Sequence, residues 1–206
     1  MVAFMFKKVN VVFGIVLVLS PLTANSAGSY DEGRSKFYSC AGCHGIPGYS
    51  NAFPSYRVPR LGGQNKGSII SALNDYKSGV RVHGSMEGNA NGLTTDDVED
   101  IAVYLAGQKS ELSEVPVTGD VVSGKNKAEA CGACHGTNGI SLNETIPTLA
   151  AQHESYLVNA LKSYRTGRRQ NAIMNGVASE LHDSEILDIA AYYASQRKGL
   201  TEKIGN

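Results

Sequence analysis

The chain repeats itself. EGRSKFYSCAGCHG, from Glu32, aligns with SGKNKAEACGACHG, from Ser123, at an offset of 91. PRLGGQ from Pro59 then aligns with PTLAAQ from Pro147 at an offset of 88, so the first copy carries three extra residues between its CHG and its proline. Beyond that point the register holds without a gap. Leu73, Tyr76, Gly79, Met86, Leu93, Asp100 and Tyr104 meet Leu161, Tyr164, Gly167, Met174, Leu181, Asp188 and Tyr192. Such self-similarity dictates one supersecondary unit used twice, not a single large core. The units are a first domain over 28–114 and a second over 115–206, joined by the polar linker GQKSELSEVPVTG at 107–119.

Within each unit the apolar spacing is helical. Ile69, Ile70, Leu73 and Tyr76 share one face of a middle helix, and Val98, Ile101, Ala102 and Leu105 share one face of the last helix of the first copy. Thr94 or Thr95, ahead of Asp96 and Asp97, is placed to cap that last helix. No alternating strand stands out, so the expectation is an all-α chain with long Gly- and Pro-containing loops. A unit of under 100 residues with three short helices has little core of its own. Something other than side chains must supply the apolar centre.

The cysteines point to what that is. All four fall in two pentads, Cys40-Ala-Gly-Cys43-His44 and Cys131-Gly-Ala-Cys134-His135. C-x-x-C-H is the attachment signature of a c-type haem: two thiols three residues apart in a helical turn reach the two vinyl groups of one porphyrin, and the next residue offers its imidazole to the iron. A four-cysteine zinc site would have to join pairs far apart in sequence and leaves both histidines without a role. A disulfide framework or a redox-active CxxC suits an exported protein, but the redox motif belongs to a βαβ setting that this chain lacks. Two haem c groups per chain are therefore expected, and without them each domain is expected to be largely unfolded.

His44 and His135 fill one axial position each, and methionine scarcity suggests the other. Of four methionines, Met1 and Met5 lie in the N-terminal segment, leaving Met86 and Met174 at matched register between the middle and last helices, in what reads as a loop. A thioether ligand favours the ferrous state and raises the potential relative to a second histidine. The rivals are two ordinary core methionines, or His83, three residues before Met86. His153 and His182 do not recur between the copies and read as exposed polar residues.

The N-terminus, MVAFMFKKVNVVFGIVLVLSPLTANSA, has two lysines, a short apolar run and small residues up to Ala27. It reads as a cleaved secretory signal over 1–27, with an uncleaved anchor as the alternative. Removing it takes away Lys7 and Lys8 and no acidic residue, so the mature chain is slightly acidic, and nothing in it suggests a nucleic-acid partner.

The tandem pattern of CxxCH, P-x-L-x-x-Q, Y-x-x-G-x-R and a later Met resembles the cytochrome c4 family, periplasmic two-haem class I cytochromes c, across 28–206. The resemblance implies two class I cytochrome folds about a pseudo-two-fold axis, each around one covalent haem, with neighbouring haem edges near the interface. It implies that the carbonyls of Pro59 and Pro147 accept from the proximal histidines. Gly33 and Phe37 resemble the glycine and aromatic at which the first helix crosses the last, near Tyr104. The second copy keeps Gly124 but has Ala128, so Tyr192 and Tyr193 are expected to complete the packing there. Arg81 and Arg169, five residues before each methionine, are candidate propionate contacts, with a solvated surface arginine as the alternative.

The implied function is electron relay without catalysis: no open iron site, no small-molecule substrate, redox proteins as partners and peripheral membrane contact. The expected donor is a quinol-oxidising complex and the acceptor a terminal oxidase. The alternative is the dihaem electron-transfer subunit of a sulfur-oxidising enzyme such as flavocytochrome c sulfide dehydrogenase. Arg165, Arg168 and Arg169 crowd positive charge ahead of Met174, so the second haem is expected to have the higher potential.

Overall fold

A computed structural model describes residue 1, residues 28–110, residue 112 and residues 115–205. Apart from Met1, the expected signal segment lies outside the described residues, as does part of the linker. The first copy folds as α1 (Tyr30–Lys36), α2 (Tyr38–His44), a small antiparallel hairpin of β1 (Ser50–Asn51) and β2 (Tyr56–Arg57), α3 (Lys66–Lys77), α4 (Gly84–Asn91) and α5 (Thr95–Ala106). The second runs α6 (Val121–Lys127), α7 (Glu129–His135), α8 (Glu154–Arg165), α9 (Ala172–Ser179) and α10 (Asp183–Ala194). The all-α expectation holds, with five helices per copy among the described residues in place of three. The hairpin is the structural use of the longer segment that distinguishes the first copy.

In each copy the first helix crosses the last, and glycine makes the crossing possible. A Cβ on Gly33 would stand 2.0 Å from the Asp100 carbonyl oxygen, and one on Gly124 would stand 1.9 Å from that of Asp188. The same aspartates tie the crossing electrostatically. Asp100 accepts from Lys36 at 2.6 Å and from the Ser29 amide at 2.6 Å; Asp188 accepts from Lys127 and from the Asp120 amide, both at 3.0 Å. Thr94 caps α5 in a full capping box with Asp97. Two cores follow: Phe37, Ile69, Ile101, Ala102, Tyr104 and Leu105 in the first copy; Ala128, Leu157, Ile189, Ala190, Tyr192 and Tyr193 in the second.

The copies meet across a pseudo-two-fold axis. Gln64 donates to the Thr148 carbonyl at 3.0 Å and accepts from the Thr148 amide at 2.9 Å; its counterpart Gln152 does the same with Arg60, at 3.0 and 2.9 Å. The glutamine of P-x-L-x-x-Q thus joins the domains, a role that its repetition hinted at without specifying. The C-terminal segment straps the join. Thr201 exchanges backbone hydrogen bonds with Gly62 at 2.9 and 3.0 Å, and Ile204 packs against the first copy's core.

His153 corrects an expectation. It is buried at the join, 6% exposed, with Nε2 3.5 Å from Glu202 of the strap. Burial first, then the charge of Arg60, pushes its pKa down to about 4, against the pull of Glu202. His182 is exposed as expected, and it caps α10 with Glu185.

Candidate functional site

Each pentad sits on a short helix that ends at its histidine. On α2, Cys40 and Cys43 lie three residues apart and so share a face, and His44 closes the helix; α7 repeats this with Cys131, Cys134 and His135. None of the four cysteines is in a disulfide: Cys40 and Cys131 are half-buried, Cys43 and Cys134 exposed. Burial pushes the Cys40 and Cys131 thiols up. A redox-active pair needs the opposite shift, and no cluster of three or more metal-ligating side chains exists among the described residues. Neither competing use of the cysteines fits.

Both imidazoles are buried and aimed by a carbonyl. His44 Nδ1 lies 2.9 Å from the Pro59 oxygen, and His135 Nδ1 lies 2.8 Å from the Pro147 oxygen. A carbonyl can only accept, so Nδ1 carries the proton. Burial lowers both pKa values, outweighing the carbonyls, which leaves the rings neutral near pH 7. The lone pair therefore sits on Nε2, the state an iron ligand requires. Two free thiols beside a neutral, oriented imidazole form the donor set of haem c, and it is built twice.

Met86 and Met174 are half-buried and lie in the first turn of α4 and α9, not in loops as the Gly- and Asn-containing segments suggested. Their position is set by matching caps. The Met86 amide donates to His83 Nδ1 at 3.3 Å, and the Met174 amide donates to Asn171 Oδ1 at 3.0 Å. His83 thus does the work of Asn171, with one ring nitrogen committed to the backbone, which weakens it as a rival ligand. Each short helix packs on the middle helix of its own copy, α4 on α3 and α9 on α8.

Arg81 and Arg169 come together on the pseudo-axis as a two-residue antiparallel bridge. Neither is a solvated surface arginine: Arg169 is 9% exposed and Arg81 half-buried. The guanidinium of Arg81 lies 5.2 Å from the Tyr76 ring, and that of Arg169 lies 5.4 and 5.7 Å from Tyr156 and Tyr164. Arg169 also donates to the Tyr156 hydroxyl at 3.2 Å. Burial pushes the Tyr156 phenol up, but Arg169 and Arg81 outweigh it and hold the phenol below its ordinary value. A cavity of about 60 Å³ opens here, lined by Tyr56, Tyr76, Arg81, His83, Arg168 and Arg169 and by no acidic side chain. Sequence reasoning singled out the arginines but missed the tyrosines that hold them, although Tyr76 and Tyr164 recur in Y-x-x-G-x-R.

Comparison with known proteins agrees with this geometry. The family model for cytochrome c matches residues 121–196. Cytochrome c4 of Pseudomonas aeruginosa is 31% identical over 182 residues, covering 82% of this chain and 89% of its own length. The thiosulfate dehydrogenase electron acceptor of Stutzerimonas stutzeri is 27% identical over 201 residues, covering 88% of this chain and 92% of its own. The crystal structure of reduced recombinant cytochrome c4 from Pseudomonas stutzeri superposes with a TM-score of 0.69 at 29% identity, over 82% of this chain and 100% of that one.

Proposed function

Because this chain belongs to the cytochrome c4 family and so is an electron carrier with two haem c groups, we propose that it works in the periplasm as a respiratory relay. It takes electrons from a quinol-oxidising complex and delivers them to a terminal oxidase. When bound, each haem supplies a one-electron Fe(III)/Fe(II) couple. Cys40 and Cys43 would hold the first group and Cys131 and Cys134 the second, with His44 and Met86 as iron ligands of the first and His135 and Met174 as those of the second. Pro59 and Pro147 fix the tautomer and orientation of the imidazoles. Arg81, half-buried, and Arg169, buried, line a cavity with no acidic side chain and would pair with the propionates. The observation that carries this reading is the oriented, neutral histidine following two free thiols, found at matched positions in both copies.

The test combines mass, haem content and potentiometry. The mature protein should weigh as the polypeptide plus two haems, and neither should extract into acidified organic solvent. Met174→Ala should open one iron to carbon monoxide and lower its potential on the order of 0.1 V, a fraction of the roughly 0.8 V that axial ligation spans, leaving the other couple nearly unchanged. Unaltered carbon monoxide binding would make Met174 a core residue.

The kinship with a thiosulfate dehydrogenase electron acceptor favours a second reading, in which the electrons come from a sulfur-oxidising enzyme. Stopped-flow reduction by a quinol-oxidising complex and by thiosulfate dehydrogenase, side by side, separates the two: the physiological donor is the one that reduces this protein rapidly at low concentration.

A further inference from the structure

The two methionine helices are pinned differently. In both copies the side chain one residue past the methionine reaches back to the start of its own helix: Glu87 accepts from the His83 amide at 2.8 Å, and Asn175 accepts from the Asn171 amide at 2.6 Å. There the likeness ends. Glu87 and Asn175 hold the same register position and are both half-buried, but a carboxylate can only accept, whereas a carboxamide also has two N–H groups to give. Asn175 uses both. Its Nδ2 donates to the Tyr164 carbonyl at 2.5 Å and to the Arg169 carbonyl at 2.9 Å.

Those two carbonyls belong to well-held parts of the second copy. Tyr164 lies in the last turn of α8, and Arg169 is anchored three ways: its amide donates to the Ser163 carbonyl at 3.1 Å, its guanidinium donates to the Tyr156 hydroxyl at 3.2 Å, and its backbone bridges to Arg81 across the pseudo-axis. Asn175 therefore ties the first turn of α9, which carries Met174, to the end of the middle helix and to the join. In the first copy the matched carbonyls are those of Tyr76 and Arg81, and the Glu87 carboxylate has no proton for either.

Resting on the ligand reading above, we propose that Asn175 is a positioning residue that holds Met174 in its place as a ligand of the second iron. The first iron, with Glu87 at that position, gives up its methionine more readily to an external ligand. Displacing a methionine requires the turn that carries it to move away. In the second copy that movement breaks the two bonds from Asn175 Nδ2; in the first it has no such bonds to break.

Imidazole titration of the oxidised two-haem protein tests this. A nitrogen donor in place of the thioether lowers the potential, so voltammetry at each imidazole concentration follows the two couples separately, and Met86→Ala and Met174→Ala assign them. The wild type should show two binding steps, the tighter one at the first iron. Asn175→Asp keeps the size and the acceptor but loses both donors, and Asn175→Leu removes all three bonds without adding charge. Each should tighten imidazole binding at the second iron roughly tenfold, as the loss of such bonds allows, and leave the first iron unmoved. Glu87→Asn, which copies the second domain, should weaken binding at the first iron. A lower Tm with unmoved imidazole binding in both Asn175 variants would make Asn175 a plain structural pin and overturn the proposal, as would a wild type whose tighter step is at the second iron. If Met174→Ala leaves the imidazole affinity and the potential of both couples unchanged, the ligand reading itself fails and takes this one with it.

Discussion

Both helix crossings keep a tyrosine on the last helix, Tyr104 and Tyr192, but place the further aromatic rings on opposite partners. In the first copy Phe37, at the end of α1, packs on Tyr104 at 5.7 Å, and Tyr30 meets the same ring edge-on at 5.0 Å. In the second copy the matched position is Ala128, and the rings are Tyr192 and Tyr193 of α10, 5.1 Å apart. The glycines do not vary, because backbone approaches backbone there and no side chain fits. What the crossing requires is apolar volume, and either helix can supply it.

The most drastic way to break the parallel is to remove one cofactor. Cys131→Ser combined with Cys134→Ser should leave a protein with one covalent haem, an unfolded second copy and a folded first copy. Mass spectrometry should read the loss of one haem, and circular dichroism the loss of about half the helical signal, since a domain this small cannot stand on its own core. Retained helicity would show that the second copy folds without its haem.

Packing should separate the copies next. Phe37→Ala should cost about 3–5 kcal/mol, as deletions of buried aromatics do. The inverse change, Ala128→Phe, should overpack the second crossing and cost about 1–3 kcal/mol. Denaturant unfolding measures both, and a stabilising Ala128→Phe would mean that the tyrosines leave a void there.

The caps of the methionine helices offer a smaller effect. His83→Asn, which copies the second copy's cap, should be nearly neutral, whereas His83→Ala should cost about 1 kcal/mol. A much larger loss from His83→Asn, accompanied by a changed haem spectrum, would assign His83 a place at the first iron.

A different kind of effect concerns pH at the join. Asn65 and His153 are matched, but Asn65 donates to the carbonyls of Ser141, Asn143 and Ile146 at 2.7–3.2 Å, whereas His153 is a buried titratable group. Its pKa is about 4 in the fold against 6.5 when free, so the unfolded chain takes up the proton first as pH falls. The stability that neutral His153 provides is therefore complete above about pH 6.5 and is lost between there and about pH 4. His153→Asn should flatten that part of the profile, read as the difference in urea midpoint between pH 7 and pH 4. Parallel profiles would show that His153 titrates alike in the folded and unfolded states.

The haem chemistry was legible because it is local. Two thiols and an imidazole fall within five residues, and the repeat sets the same pattern at matched positions in both copies. The middle and last helices were legible from apolar spacing, and the cap at Thr94 from its aspartates. The helices bearing Met86 and Met174 were not, because their glycines, asparagines and serines read as loop; a side-chain cap and packing on α3 and α8 make them helical. The burial of Arg169 and His153 was hidden for a different reason. Arg169 is held partly by Tyr156 and Tyr164 of its own copy and partly by its bridge to Arg81, and His153 lies against Glu202 of the C-terminal strap; no pattern within one unit reports the contacts across the join. The charge argument for the second haem also changes. Arg165 is paired with Asp183 at 2.5 Å, and Arg169 is matched across the axis by Arg81, so the expected ordering of potentials loses the charge asymmetry it was built on.

The reciprocal glutamines have a consequence for assembly. Gln64 grips Thr148 and Gln152 grips Arg60, so the two units meet through one self-complementary face in each. A self-complementary face is saturated by a single partner: it closes a pair and offers no free copy of itself to a third unit, whereas a head-to-tail contact would keep propagating. Duplication through such a face yields a conductor of two stations and not a wire of indefinite length, and any longer electron path must be built through a different surface.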